Sequence, residues 1–155
     1  LELSFLAERY QQLKNILIFG DLFNPLKIAD YFIDKSLIFA RKTLQQDEFN
    51  LFRKFFTIIV SQLQQPDLIV YLYKQPSQLK QNIILRGREY EQNISEDYLF
   101  QIQESYLEYL ELQDNNVVLI IDTSEIDFVH NKNDYIKIKK IINTEYSKGV
   151  HKLIV

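Results

Sequence analysis

Pro66-Asp67-Leu68-Ile69-Val70-Tyr71-Leu72 is followed by Pro76-Ser77-Gln78-Leu79, and that by Leu85-Arg86-Gly87-Arg88-Glu89-Tyr90-Glu91. The first piece is a short apolar run behind a Pro-Asp turn. Such a run reads as a buried strand of a parallel sheet. The second piece opens a helix, because Pro76 suits a first helical position, where a missing N–H costs nothing. The third sets two guanidinium groups around a glycine, with carboxylates just after. Planar guanidinium forks can each hold two phosphate oxygens, so this pattern can close over a polyphosphate. A solvated charge cluster ending a helix at Gly87 is the plainer local reading.

Strand, Pro-led helix, Leu85-Arg86-Gly87-Arg88-Glu89-x-Glu91 and then an aromatic-rich helix resemble the lid region of the deoxynucleoside kinases. Tyr71-Leu72 upstream, and Tyr98-Leu99 through Tyr106 downstream, stand at family-like spacing. The similarity runs from residue 1 to about residue 129 and is weakest near residues 16–23. It implies a P-loop kinase-like α/β fold, a parallel sheet flanked by helices. It also implies ATP- and Mg2+-dependent phosphorylation of a deoxyribonucleoside 5′-hydroxyl. Arg86 and Arg88 would be the phosphate clamps and the catalytic charges. Glu91 matches a position whose carboxylate accepts a hydrogen bond from the sugar 3′-hydroxyl. Asn82 replaces the arginine that often starts the family's lid, one helical turn before Arg86.

The chain has 155 residues, 46% of them hydrophobic, enough for a sizeable core. A net charge of -3 argues against a general nucleic-acid binder, which carries a basic stripe. There is no cysteine, hence no disulfide framework or thiolate zinc site. His130 and His151 lack metal-ligand spacing. No apolar run approaches the roughly 20 residues needed to span a bilayer, and no signal peptide is visible. A cytoplasmic enzyme is the default. The chain contains no methionine and three glycines, none of them flanking a Lys-Ser or Lys-Thr pair. A phosphate-cradling Walker A loop is therefore not among these residues. In the resembled family that loop and the catalytic base lie upstream. Residues 1–155 are thus expected to form one domain, the C-terminal portion of a deoxynucleoside kinase domain truncated at its N-terminus. They are expected to be inactive alone and prone to aggregate.

Residues 1–14 read as an amphipathic helix with Leu3, Leu6, Tyr10 and Leu13 on one stripe. Residues 16–20 look like a strand ending at Gly20, with a helix extension as the alternative. Residues 25–30 read as a strand with Asp30 at its carboxyl end, where open α/β sheets bind ligands. The segment 30–36 resembles the family's acidic-Arg-Ser strand end. Either Asp30 or Asp34 would then serve magnesium. Lys35 stands in for the arginine, a substrate contact weakened from a fork to a point charge. Asp34 as a helix N-cap is the competing reading. Residues 47–63 form the clearest helix, with Phe49, Phe52, Phe56, Ile59 and Leu63 as core or dimer surface. The family dimerises through helices, which implies a homodimer.

Ser95 is read as the start of a helix with Leu99, Ile102, Tyr106 and Leu110 buried. The β-branched run 117–121 reads as a buried parallel strand. Residues 122–128 resemble the loop near the adenine of ATP, with Asp127 and Phe128 as its contacts. A helix over 132–146 would turn Tyr135, Ile138, Ile141 and Ile142 inward and stop at Gly149. Residues 151–155 could add a short strand. The strands near 26–30, 67–73 and 117–121 are expected to share one parallel sheet. Two rival functions accompany the kinase: a non-catalytic interaction domain on a kinase scaffold, and a nucleoside monophosphate kinase. The latter would want more cations than Arg9 and Lys14 in its first helix.

Overall fold

The computed structural model describes residues 2–18 and 26–155. The chain forms two compact units, Leu1–Gln65 and Pro66–Val155. The first is helical: α1 (Glu2–Ile18), α2 (Lys35–Thr43) and α3 (Gln46–Val60). Its core gathers Leu6, Ile33, Ala40, Phe52, Phe56 and Val60, with Tyr10 and Leu13 packed against it. Phe52 and Phe56, one turn apart, stack at 6.3 Å between ring centres. The stripe read from α3 is therefore core. At the start of α3 the Gln45 amide donates to Glu48 Oε2 at 3.0 Å, half of a capping box.

Two readings of this unit are corrected. Residues 16–18 continue α1, so they are helix and not strand, while Phe19 and Gly20 lie outside the described residues. Residues 26–29 form no strand, and Leu26 and Ile28 are 78% and 88% exposed. An apolar run becomes a strand only where a neighbouring strand takes up its amides and carbonyls. Asp30 accordingly sits on a bend, not at the end of a strand.

The second unit holds β1 (Leu68–Tyr73), α4 (Pro76–Arg86), a 3-10 turn (Glu89–Glu91) and α5 (Glu96–Glu111). It continues through β2 (Val117–Asp122), α6 (Lys132–Ile142) and β3 (Gly149–Ile154). The strands are parallel in the order β1-β2-β3, with Leu68 opposite Val117 and Val117 opposite Gly149. The third strand is thus the C-terminal one. In β2, Val118, Leu119, Ile120 and Ile121 are all buried, as a central strand covered on both faces demands. The Ser95 hydroxyl accepts from the Tyr98 amide at 3.1 Å and caps α5, as its sequence predicts. Leu110 is buried on that helix as expected. So is Gln103, whose amide donates to Lys74 O at 2.8 Å beside the stacked pair Tyr71 and Tyr106.

α6 is shorter than its pattern suggests. It ends at Ile142, and Gly149, at φ 118, opens β3 instead of stopping the helix. Tyr135 is 53% exposed, and Asp134 takes the buried position beside Ile138. The Asp134 carboxylate accepts from Lys137 Nζ at 3.0 Å and from the Asp127 amide at 3.2 Å. The Lys137 bond, then that amide, hold the Asp134 carboxyl below its ordinary range.

Two outcomes follow for stability. A carboxyl depressed by folding contributes stability above the unfolded value, about pH 4, and loses it as pH falls through the folded value. Asp134→Asn should flatten the acid limb of the stability-versus-pH curve below about pH 4, read by urea unfolding. Gly87 closes α4 at φ 72, its amide donating to Ile83 O and Ile84 O. A Cβ there meets nothing within 4 Å. Gly87→Ala should therefore cost only the left-handed backbone term, about 1–2 kcal/mol in urea, and Gly87→Asn less.

Candidate functional site

The carboxyl ends of β1 and β2 carry the loops from which the site is built. Thr123 donates to Tyr73 O through both its amide (2.9 Å) and its hydroxyl (2.8 Å). In the first turn of α4, Gln78 Nε2 donates to Ser124 O at 3.0 Å. These bonds lock the entry to α4 against the loop after β2. Gln78 Oε1 and Ser124 Oγ are buried there without a hydrogen-bond partner among the described residues. Asp122 Oδ1 takes the Ser124 amide at 2.9 Å, an Asx turn that bends the chain off the strand.

Arg86 is the last residue of α4, and Gly87 then turns the chain through left-handed space. Arg88 is extended (φ -77, ψ 119) and leads into the 3-10 turn. On an unbroken helix, residues two apart point in different directions. With the glycine between them, both guanidinium groups reach one carboxylate. Arg88 Nη1 stands 3.1 Å from Glu91 Oε1, and Arg86 Nη1 stands 3.6 Å from Glu91 Oε2. The second distance is an ion pair beyond hydrogen-bond length, so buried Oε2 has no hydrogen-bond partner among the described residues. Glu91's side chain is 14% exposed, while those of Arg86 and Arg88 are 55% and 53% exposed. Arg88 also donates to the Tyr90 hydroxyl at 3.3 Å. Its hydrogen bond to Glu91 is the main cause that raises the Arg88 pKa further above its ordinary value, so it is a permanent cation.

The sequence pointed to these three residues but not to what holds them. Lys80 Nζ donates to Gln92 O at 2.6 Å and to Ile94 O at 2.7 Å. Gln92 Nε2 donates to Ile83 O and Arg88 O, each at 3.2 Å. Lys80 falls inside a helix with an unremarkable pattern, so no local signal marks it. The Arg88–Glu91 pair did carry a signal, the i,i+3 spacing of opposite charges.

The remaining candidates are dispersed. Asp127 stands in the loop after β2, and its carboxylate takes the Val129 amide (3.2 Å), the His130 amide (3.1 Å) and His130 Nδ1 (2.9 Å). Those bonds, the His130 amide first, lower its pKa. Asp127 thereby shapes the turn into α6, and Phe128 beside it is half-buried. In the helical unit, Asp34 is 7% exposed at the start of α2, where its carbonyl, not its side chain, takes the first helical amides. Lys35 is exposed, its ammonium 5.8 Å from the centre of the Phe39 ring. Ser36 shares a hydrogen bond with the Tyr31 hydroxyl at 2.8 Å.

No three His, Cys, Asp or Glu residues among those described stand together as a metal cage. Magnesium carried on a nucleotide asks for less, one or two carboxylates beside phosphate oxygens and water. Exposed Asp30 meets that requirement better than buried Asp34. No described helix is long and apolar enough to cross a membrane.

Comparison with known proteins identifies the family. The profile of the family described as deoxynucleoside kinase matches residues 1–147. A deoxyguanosine kinase of Bacillus subtilis (strain 168) is 34% identical over 146 residues, covering 89% of this chain and 69% of that protein. With a family match over residues 1–147 and a relative 34% identical, the chain belongs to the deoxynucleoside kinase family of phosphotransferases.

Proposed function

We propose that Arg86, Arg88 and Glu91 form the working centre of an ATP-dependent kinase that phosphorylates a deoxyribonucleoside on its 5′-hydroxyl. The observation that carries this reading is the convergence of both guanidinium groups on one carboxylate. Half-exposed forks paired with a single Glu91 can exchange it for the oxygens of a polyphosphate, which offers more charge and bidentate geometry. Phosphoryl transfer asks the protein mainly for positioning and charge neutralisation. Glu91 Oε2, without a hydrogen-bond partner, has acceptor capacity for the sugar 3′-hydroxyl. In this reading Lys35 contacts substrate, and Asp127 and Phe128 flank the adenine. Asp30 or Asp34 would hold Mg2+, and the ion would neutralise charge on the nucleotide phosphates. Water access favours Asp30. The two compact units belong to one kinase domain, acting in the cytoplasm. Deoxyguanosine is the first nucleoside to assay, given the name of the Bacillus relative.

The chain itself has no glycine-rich Lys-Ser/Thr loop to cradle phosphates. α3 presents Leu51, Phe55 and Ile58, 54%, 45% and 61% exposed, at helical spacing, which supports a homodimer through helices.

Steady-state kinetics of the intact kinase test the site. Arg88→Ala and Arg86→Ala should each lower kcat by about 10²–10³, some 2.7–4 kcal/mol, with little change in nucleoside KM. Glu91→Ala should mainly raise nucleoside KM, by roughly 10- to 100-fold for a lost bond to a charged acceptor. Asp30→Ala should collapse turnover and spare nucleoside binding. Residues 1–155 alone should show no turnover. Near-wild-type kinetics for both arginine variants would retire the phosphate-clamp assignment. For the dimer, Phe55→Glu should shift sedimentation toward monomer. An unchanged oligomer would place the interface elsewhere.

A further inference from the structure

The turn that carries Arg88 has no hydrophobic anchor. Residues 87–90 are all exposed, Tyr90 to 78%, and only Glu91 is partly covered. A three-residue 3-10 turn so exposed keeps one orientation only if polar bonds hold it. Lys80 supplies two of those bonds. Its stem lies half-buried along α4, and its ammonium meets the carbonyls of Gln92 and Ile94, just past Glu91 and just before the Ser95 cap of α5. The three donors of an ammonium can satisfy two convergent carbonyls at once, which a neutral side chain with one donor cannot. Gln92, fixed by the same contact, ties Arg88 O back to Ile83 O at the end of α4. The turn is therefore secured at both ends to one helix.

We propose that Lys80 is a positioning residue for phosphoryl transfer, holding the 88–91 turn against α4 so that the Arg88 guanidinium points where Arg86 points. Arg86 needs no such help, because it stands on α4 itself. Lys80 thus acts through Arg88. The proposal rests on the assignment of Arg88 to the phosphates, and its test separates the two.

The experiment is a double-mutant cycle on the intact kinase, with deoxyguanosine and ATP as substrates. A misplacement of about 1 Å can cost on the order of 10²-fold in rate. Lys80→Met should accordingly lower kcat by about 10- to 100-fold. In an Arg88→Ala background the same substitution should change kcat by less than about threefold, because the group it positions is gone. Lys80→Arg, which keeps charge and several donors, should restore kcat to within about threefold of wild type. A purely structural lysine would give additive losses in both backgrounds. Additivity, near-wild-type kcat for Lys80→Met, or failure of Lys80→Arg to rescue would each overturn the positioning role while leaving a large Arg88→Ala loss intact. A silent Arg88→Ala would bring down the phosphate assignment and this inference with it. Should Lys80→Met not fold, as judged by its thermal melt, Lys80→Ala takes its place in the same cycle. Non-additivity then supports the role, and additivity overturns it.

Discussion

The parallel pairing of β2 with a strand on each side is the constraint on which the second unit depends. Val118, Leu119, Ile120 and Ile121 leave water completely or nearly so. Burying each such side chain is worth roughly 1.5–3 kcal/mol. A single polar tie such as Gln78 to Ser124 or Thr123 to Tyr73 nets about 1 kcal/mol. The hydrophobic term therefore decides that there is a sheet and which strand lies at its centre. The polar ties then decide how the loops at the carboxyl ends of β1 and β2 stand, which is where chemistry in open α/β sheets takes place.

The arginine–glutamate group works by a different balance. Both guanidinium groups are more than half exposed, and ion pairs in that setting are worth about 0–1 kcal/mol. Such a pair can orient a fork without holding it too tightly to change partner. The geometry of the fork comes instead from the backbone: the left-handed Gly87 and the carbonyls gripped by Lys80 and Gln92. Membership of the deoxynucleoside kinase family sets aside the nucleoside monophosphate kinase reading. The scarcity of cations in α1 had already weakened it.

Much of this was legible in the residues. The pieces around 66–91 carried strand, helix start, glycine stop and paired arginines in order, and the structure has each of them there. The α3 stripe and the Ser95 cap were equally legible, because their signals are local. The misreadings share a cause. Residues 16–18 and 26–29 are short apolar runs, for which periodicity cannot separate strand from helix or coil. On α6, the apolar pattern favoured Tyr135 for the interior, yet Asp134 is the residue turned in. A buried carboxylate is tolerated there because Lys137 and the Asp127 amide satisfy it. Gly149 was read as a helix stop, but its positive φ serves the entry to β3.

What the amino-acid order determined by itself was the class: apolar β-branched runs alternating with amphipathic helices, and two arginines flanking a glycine ahead of a glutamate. Those features depend on neighbours within a few residues, so they can be read along the chain. Residues 151–155 were read as a possible strand, but tertiary structure alone decided that it starts at Gly149 and pairs with β2 as the third strand, and that Asp30 stands on a bend. It alone also decided that Lys80 reaches carbonyls 12 and 14 residues away. Each of these turns on which distant backbone groups come to lie opposite one another. A strand needs a partner and an ammonium needs an acceptor, and neither partner is specified by the residues next to it in sequence.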